Sequence, residues 1–225
     1  MKVDFHIHTN YSFDSLSEPK QVVLEAEKKG LDAIAITDHD EIRGALEAKR
    51  HVEKLGLKLQ VIVGEEVATD EGDLLVYFVK KRIEPAGLAE VLAQAKKQNA
   101  VCVAAHPYDF ARSGIAVEKL EKDILKGIDG IEVFNARVSF AQINQKAFEF
   151  CLKSSKAQFA GSDAHHLSEI GKAYVEFEGV KRLDARAVLG AKRRIAGSLS
   201  PFFVHFYSRL AILRRNLNNF LAKRF

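Results

Sequence analysis

Short apolar segments alternate with amphipathic segments along most of this chain, and this alternation constrains the fold more than any other feature. The predicted strands are Val3–His8, Ala33–Thr37, Leu59–Val63, Leu74–Val79, Val101–Ala105, Gly130–Phe134, Gln158–Ala160 and Ala173–Phe177. The predicted helices are Glu18–Lys29, Glu41–Leu55, Pro85–Asn99, Val117–Lys126, Phe140–Ser154 and Asp184–Ala196. Because the strands are apolar throughout and are separated by helices, the pattern favours a parallel sheet covered by helices.

The number of these strand–helix units distinguishes between two kinds of α/β fold. Six or seven units within 225 residues predict a closed or nearly closed (β/α) barrel. An open, doubly wound sheet is the alternative. The sequence contains neither of the usual Gly-rich phosphate loops, so nucleotide-fold chemistry has no support.

The positive charge is concentrated in the C-terminal segment. Residues 200–225 contain five basic and no acidic residues, so the formal charge of +4 leaves residues 1–199 with a charge of about −1. We therefore predict a barrel over residues 1–199 and a basic amphipathic helix over residues 200–225. Its apolar positions recur in steps of three and four residues: Phe203, Phe206, Leu210, Leu213, Leu217 and Phe220.

This apolar stripe allows several interpretations. The helix packs its stripe on the barrel, mediates self-association, or lies on a surface as a basic amphipathic helix. Contact between the basic residues and nucleic acid is a further possibility. We expect a chain that is cut after Ser200 to keep the activity of the barrel, and loss of that activity would show that the tail belongs to the active barrel.

The sequence favours a cytoplasmic protein. No run approaches the roughly 20 apolar residues that cross a bilayer, and the N-terminus enters a strand directly instead of a signal peptide. Cys102 and Cys151 lie in apolar segments far apart in the sequence, which indicates buried free thiols.

Potential metal ligands follow most of the predicted strands. His6 and His8 share one face of the first strand, and Asp14 lies in the loop after it. Later strands end in Asp38-His39-Asp40, Glu65-Glu66, His106 and Asp163-Ala164-His165. Barrels of this type carry their catalytic residues at the carboxyl ends of the strands. Each residue alone could be a cap or a loop residue, but their joint occurrence predicts a multinuclear metal site.

The ligand types indicate which ions and which reaction to expect. Histidine and carboxylate ligands without cysteine suit zinc, manganese or iron. Two such ions that share a carboxylate lie about 3.5–4 Å apart and activate water for hydrolysis of a phosphate ester. Glu65 and Glu66 are adjacent and face opposite ways on a strand, so chemistry alone does not choose between them.

The spaced motifs resemble those of the PHP (polymerase and histidinol phosphatase) superfamily, in order from residue 3 to about residue 178. The motifs are Asp4-x-His6-x-His8-Thr9, Ser12-x-Asp14, Thr37-Asp38-His39, Gly64-x-Glu66, His106-Pro107 and Gly161-Ser162-Asp163-Ala164-His165. The resemblance implies an α/β fold, a distorted (β/α)7 barrel of PHP type, with a trinuclear metal site and phosphoesterase activity. No polymerase chain follows, so we expect the stand-alone phosphoesterase branch.

The resemblance also implies a ligand set for two to three divalent ions (manganese, zinc or iron). The first ion is assigned to His6, His8, Glu66 and Asp163; the second shares Glu66 and takes His106; the third takes Asp14, His39 and His165. Glu66, Asp163 and His39 are the expected catalytic residues. Glu65 becomes a packing or supporting residue, and Asp4 is expected to accept a hydrogen bond from a ligating imidazole.

One position departs from the family pattern. Family members commonly carry a histidine just before the Leu-Leu of the fourth strand, where this chain has Asp73. Asp73 is either a ligand of the second ion or a turn residue. For substrate phosphate, Arg137 with Asn135 is the first candidate, and Arg112 is the second, unless it is a solvated surface residue.

The leading function is therefore a metal-dependent phosphoesterase that acts on a phosphorylated small molecule or nucleotide. Two other enzymes are alternatives: a nuclease or oligonucleotide phosphatase aided by the basic tail, and a histidinol-phosphate phosphatase. An alternative of a different class is a metal-binding scaffold with weakened chemistry.

Overall fold

The computed structural model describes the backbone of residues 1–222 and the side chains of residues 1–217. The side chain of Phe220, and Lys223 and Arg224 of the predicted basic helix, lie outside this range. The strands are β1 (Lys2–Ile7), β2 (Ala33–Ile36), β3 (Gln60–Thr69), β4 (Gly72–Tyr77), β5 (Val101–Ala104), β6 (Gly130–Asn135), β7 (Ala157–Gly161), β8 (Ala173–Phe177) and β9 (Arg193–Gly197). The helices are α1 (Pro19–Lys28), α2 (Arg43–Leu55), α3 (Leu88–Lys97), α4 (Lys122–Gly127), α5 (Ala141–Ser154), α6 (Ala187–Gly190) and α7 (Val204–Ala222).

These strands form one barrel-shaped sheet in the order β7-β6-β5-β4-β3-β2-β1-β8-β9. Pairing is parallel from β1 to β3 and from β5 to β7, but β4 is antiparallel to both of its neighbours. The barrel is nearly closed by hydrogen bonds from the His8 N–H to the Ala164 carbonyl (2.9 Å) and from the Ala164 N–H to the His6 carbonyl (3.3 Å). The predicted α/β barrel class is confirmed, although the strand count differs from that of a (β/α)7 barrel.

The largest difference from the predicted elements lies at residues 184–197. The predicted helix Asp184–Ala196 is wrong, because only α6 is helical and the chain then forms β9. Strand β9 pairs antiparallel with β8 from Phe177↔Arg193 to Ala173↔Gly197. The hydrogen bonds of this sheet edge outweigh the helical propensity of the segment. Similarly, the predicted helix Val117–Lys126 divides into a 3-10 turn (Val117–Lys119) and α4.

Aromatic side chains fill the barrel interior. The ring of Phe5 lies edge-on to Tyr77 and Phe159, with centroid distances of 5.3 and 5.0 Å. All three side chains are fully buried, together with apolar residues from neighbouring strands. Because the interior is packed, polar chemistry is confined to the rim at the carboxyl ends of the parallel strands.

Helix α7 contacts the rest of the protein through residues that lie outside its large apolar stripe. Val204 and Ala211 are buried, whereas Phe203, Phe206, Leu210, Leu213 and Leu217 are exposed. The interpretation in which this stripe packs on the barrel is therefore wrong for the residues whose side chains are described. Among residues 1–222, no helix combines the length and apolar character that crossing a membrane requires. Cys102 and Cys151 are buried and unpaired, as predicted.

Strands β1 and β7 approach each other closely at Gly161. A Cβ atom at this position would lie 2.3 Å from the His6 Cβ and 2.7 Å from the His6 nitrogen. Only a glycine lets the backbones meet here. This contact brings the end of β1 beside the residues that follow β7.

We expect Gly161→Ala to lower the free energy of unfolding by about 1–3 kcal/mol, because the added methyl group overpacks the contact with His6. Denaturant unfolding measures the change. Gly190→Ala in α6 is the control, since nothing lies within 4 Å of a Cβ there. Equal effects at the two positions would contradict a special role for the β1–β7 contact.

Candidate metal centre

Nine histidine, aspartate and glutamate residues converge at the carboxyl-end rim of the barrel. They form three adjoining groups, within each of which the potential ligand atoms lie within 4.8 Å of one another. The groups are His6, His8 and Asp163; Glu66, Asp73 and His106; and His8, Asp14, His39 and His165. All nine residues predicted as metal ligands lie in these groups, and His8 belongs to two of them.

The group of His6, His8 and Asp163 lies deepest, between β1 and the segment that follows β7. The Nε2 atoms of His6 and His8 are 3.0 Å apart, and Asp163 Oδ1 lies 3.7 and 3.5 Å from them. All three residues are fully buried. This group forms the floor of the site.

Glu66 connects the floor to the other two groups. Its Oε2 lies 3.3 Å from the Nε2 atoms of both His6 and His8 and 3.2 Å from His39 Nδ1. Its Oε1 lies 3.0 Å from His106 Nε2. Glu65 points away and accepts a hydrogen bond from the Ile83 N–H at 2.8 Å. Successive side chains alternate on a strand, so only Glu66 faces the cluster.

The position of Glu66 depends on a longer third strand than the sequence predicts. Strand β3 continues through both glutamates and ends at Thr69. Beyond Val63 it leaves β2 and pairs with β4, where Glu66 is opposite Leu75. Glu66 is therefore held by sheet hydrogen bonds and not by a loop.

Asp73 lies within the cluster, in β4, and not in a free turn. It groups with Glu66 and His106. Burial, followed by the negative charge of Glu66, raises the pKa of Asp73 to about 7. A carboxyl group in this environment is stabilised in its charged form by a nearby cation.

The third group lies nearer the surface. Asp14 Oδ2 is 2.9 Å from His165 Nε2 and 3.7 Å from His39 Nε2. Burial, followed by the charges of His8 and Arg137, lowers the pKa of His165 to about 3. The imidazole is therefore neutral at physiological pH, which is the form that binds a metal.

Three of the imidazoles are oriented through their Nδ1 atoms. The partner is Glu132 Oε1 for His6 (3.0 Å), Ser12 Oγ for His8 (2.9 Å) and the Asp163 carbonyl for His165 (2.8 Å). When Nδ1–H donates to an oxygen, Nε2 keeps a lone pair directed at the cluster. This arrangement is the usual support for histidine ligands.

Glu132 is the supporting residue that sequence reasoning missed. Besides contacting His6, it accepts hydrogen bonds through Oε2 from the His106 N–H (2.7 Å) and from Asn135 Nδ2 (3.1 Å). The available signal was a glutamate in the middle of an apolar strand, which needs a buried partner.

Asp4 has a different role from the one predicted. Its carboxylate accepts backbone N–H groups of Ser162 (2.8 Å), Gly171 (2.8 Å) and His6 (3.3 Å), and the support of the His6 imidazole comes from Glu132. The expectation of an Asp4–imidazole bond is therefore wrong. Asp4 joins the backbone of β1 to the segment after β7.

Two candidate ligands follow their strands in the left-handed region of backbone conformation. The φ angles are 26° for His106 and 55° for Asp163. Non-glycine residues adopt such angles at a cost, and they cluster at functional sites. Here the turns direct the side chains back into the cluster instead of along the strand.

Electrostatics supports a cation at this site. Burial would raise the pKa values of Glu66 and Asp163. The positive charges of His6 and His39 outweigh this effect at Glu66 and hold its pKa well below the ordinary range. The charges of Arg112 and His6 do the same for the pKa of Asp163. The buried oxygens Asp14 Oδ1 and Asp163 Oδ1 have no hydrogen-bond partner among the described residues. Buried carboxylate oxygens without donors, facing imidazole nitrogens, fit divalent ions.

A cavity of about 400 Å³ opens above the cluster. Six of the nine candidate ligands line it, together with Arg112, Arg137 and, from α7, His205 and Ser208. Arg112 forms an ion pair with Asp163. The amide of Asn135 is held beneath the cluster, where it donates to Asp163 Oδ2 at 2.9 Å.

Arg137 links the barrel to α7. Its Nε lies 3.1 Å from Glu169 Oε1, and its terminal nitrogen donates to the Val204 carbonyl (3.2 Å) and to Ser208 Oγ (3.0 Å). The structure thus places the first part of α7, from Val204 to Ser208, at the rim of the site. A cut after Ser200 would remove these contacts, and retention of activity after such a cut stays a prediction.

The comparisons with known proteins agree with this architecture. Residues 4–198 match the PHP domain family. The chain belongs to this family. Two uncharacterized proteins of Methanocaldococcus jannaschii are 34% and 35% identical over 165 and 182 residues, which cover 68% and 79% of this chain and 92% and 70% of theirs. A PolC-type DNA polymerase III of Streptococcus sanguinis is 30% identical over 171 residues, which cover 68% of this chain and 11% of the polymerase.

Solved structures share the PHP fold. A two-domain protein of Bacteroides vulgatus, described as containing a predicted PHP-like metal-dependent phosphoesterase, has a TM-score of 0.71 at 23% identity. The alignment covers 88% of this chain and 65% of that chain. PsfC of Pseudomonas syringae has a TM-score of 0.65 at 17% identity, over 96% and 97% of the two chains. These likenesses establish the fold and not the substrate.

We expect Glu132→Gln to lower the affinity for manganese by about 10–100-fold, because the amide no longer supports the His6 imidazole as a carboxylate does. Calorimetric titration with manganese measures the affinity. Glu65→Gln is the matched control: Glu65 is equally buried but bonds the Ile83 N–H. A similar loss in both variants would show that a buried negative charge matters and not the contact with His6.

Proposed function

We propose that this PHP-family protein is a metal-dependent phosphoesterase that hydrolyses phosphate esters of a small molecule or nucleotide. The observation that carries the proposal is the convergence of nine His, Asp and Glu side chains in three adjoining groups beneath one open cavity. Adjoining groups of this kind suit two or three ions at close spacing, which is the arrangement used for phosphate ester hydrolysis.

Each residue has a proposed task in holding the ions. His6, His8, Glu66 and Asp163 would hold one ion; Glu66, Asp73 and His106 a second; and Asp14, His39 and His165 a third. When bound, manganese, zinc or iron would activate water and neutralise charge on the phosphate oxygens. Glu66 contributes through both carboxylate oxygens, which face His106 on one side and the floor on the other.

The side chains around the cavity suit a phosphate group. Arg112 is our first candidate for phosphate binding, because its guanidinium lines the cavity and is about one-fifth exposed. Arg137 also lines the cavity, but it is nearly fully buried and is committed to Glu169 and α7. Asn135 serves as a support for Asp163 and Glu132. The sequence favours Arg137 with Asn135 as the first candidate and Arg112 as the second, so the structure supports the opposite order.

The size of the cavity supports a compact substrate. A volume of about 400 Å³ lies at the lower end of the range for small-molecule sites. The exposed ring of Phe13 stacks on His39 at 5.0 Å and lines the opening. It offers an apolar surface for the organic part of a phosphate ester.

We expect Glu66→Ala to reduce hydrolysis of an aryl phosphate ester in manganese by about a thousandfold or more, because it removes the carboxylate that connects the groups. Glu65→Ala should be mild, since Glu65 faces Ile83. Initial rates and metal content, measured on the same samples, test both variants. The opposite ranking would show that Glu65 is the functional glutamate.

Two outcomes would reject the phosphoesterase function. Binding of fewer than two ions per chain would contradict the proposed centre. Binding of two or three ions without hydrolysis of mono-, di- or cyclic phosphate esters would favour a metal-binding scaffold. If the protein hydrolyses phosphate esters, selective cleavage of short oligonucleotides would identify it as a nuclease.

A further inference from the structure

Helix α7 presents its large apolar side chains to solvent. Phe206 and Leu213 are 64% and 65% exposed, and Phe203, Leu210 and Leu217 are exposed beside them. Phe203 lies in the turn just before α7, and the other four residues lie on the helix. These five residues, called here the α7 outer face, recur in steps of three and four, so the four helical members form one stripe. From Phe206 to Leu217 the stripe is about 16 Å long.

The opposite side of α7 is fixed to the rim of the site. Val204 and Ala211 are buried, and Ser208 bonds Arg137. Arg215 donates to the Asn10 carbonyl at 2.8 Å, and Tyr207 stacks on His166 with a centroid distance of 4.4 Å. The helix is thus attached from Val204 to Arg215, and its outer face points away from the barrel.

The charges beside the outer face indicate what covers it. On a helical projection, Arg209 lies at one edge of the stripe and Arg214 at the other, and both are exposed. Residues 200–225 contain no acidic residue. An apolar stripe between arginines is typical of a helix that lies in the interface of an anionic membrane.

The same charges disfavour the two other possible partners of the outer face, a second copy of α7 and a nucleic acid. Two copies of α7 packed face to face would bring arginines together without a carboxylate from either helix to pair them. A nucleic acid would match the charge but would leave the phenylalanines and leucines without an apolar partner. An anionic lipid surface satisfies both the apolar and the basic residues.

We propose that the α7 outer face binds peripherally to anionic membrane surfaces, with Phe203, Phe206, Leu210, Leu213 and Leu217 inserted among the lipids and Arg209 and Arg214 at the headgroups. The family match ends at residue 198, so this surface lies outside the matched PHP domain. It does not depend on the proposed phosphoesterase activity.

The test is co-sedimentation of the full-length protein with vesicles. We expect binding to phosphatidylcholine vesicles that contain about 30% phosphatidylserine, weaker binding to pure phosphatidylcholine, and weaker binding at about 0.5 M salt. Phe206→Glu combined with Leu213→Glu should weaken binding by about tenfold or more. Arg209→Gln combined with Arg214→Gln should weaken binding to the anionic vesicles by about tenfold.

The matched control is Leu24→Glu combined with Leu152→Glu. These leucines are exposed on α1 and α5, so the control introduces the same charge on other helices and should bind as the unaltered protein does. Equal loss in the control would overturn the proposal, because general repulsion from the vesicle would then explain the result. Binding that the α7 substitutions leave unchanged would also overturn it.

Measurements in solution distinguish the other two possible partners of the α7 outer face, a second copy of the chain and a nucleic acid. A dimer that dissociates on Phe206→Glu with Leu213→Glu, without vesicle binding, would assign the outer face to a second copy. Binding of a short oligonucleotide, lost on Arg209→Gln with Arg214→Gln and without vesicle binding, would assign it to nucleic acid. A monomer that binds neither would overturn the proposal outright.

Discussion

The close approach of β1 and β7 is the contact on which the rest of the site depends. His6 and His8 leave β1 beside Asp163 and His165 only because the two backbones meet at Gly161, where no Cβ fits. Asp4 strengthens the contact by accepting the backbone N–H groups of Ser162 and Gly171. The buried Asp4 carboxylate thus contributes to the fold instead of to the chemistry. Its hydrogen bonds fix the spacing between the end of β1 and the segment after β7, which carry the candidate ligands.

This contact brings ionisable side chains together in the protein interior, where burying a charged group is unfavourable. Several carboxylates and imidazoles lie within a few ångströms of one another and out of solvent. Removing one partner from such a set leaves a buried charge without compensation, which destabilises a protein. Supporting bonds, such as Glu132 to His6 and Ser12 to His8, restrict the rings to one orientation. A divalent ion that binds the folded site would also stabilise the fold by mass action, so metal binding and folding are coupled here.

Helix α7 joins this site to a second surface. Its inner residues reach Arg137 and the cavity, while its large apolar residues face outward. The use of Val204, Ser208 and Ala211 as the inner face has a steric reason, since small side chains allow a helix to lie close to the rim of the barrel. The two faces of one helix are consequently available for different tasks.

The sequence by itself determined the elements that local patterns encode. Apolar runs between amphipathic segments specified an α/β barrel. The strand-end residues and the family motifs specified eight of the nine members of the cluster, because a barrel of this kind places those ends on one rim. Asp73, which departs from the motifs, stayed open between a ligand and a turn residue. Tertiary structure decided what depends on distant partners. Residues 193–197 became a strand because β8 offers an edge, and the pairing of β3 with β4 holds Glu66 in a strand instead of a loop. Glu132, Asp4 and the outward stripe of α7 took roles set by neighbours remote in sequence, which no local pattern contains.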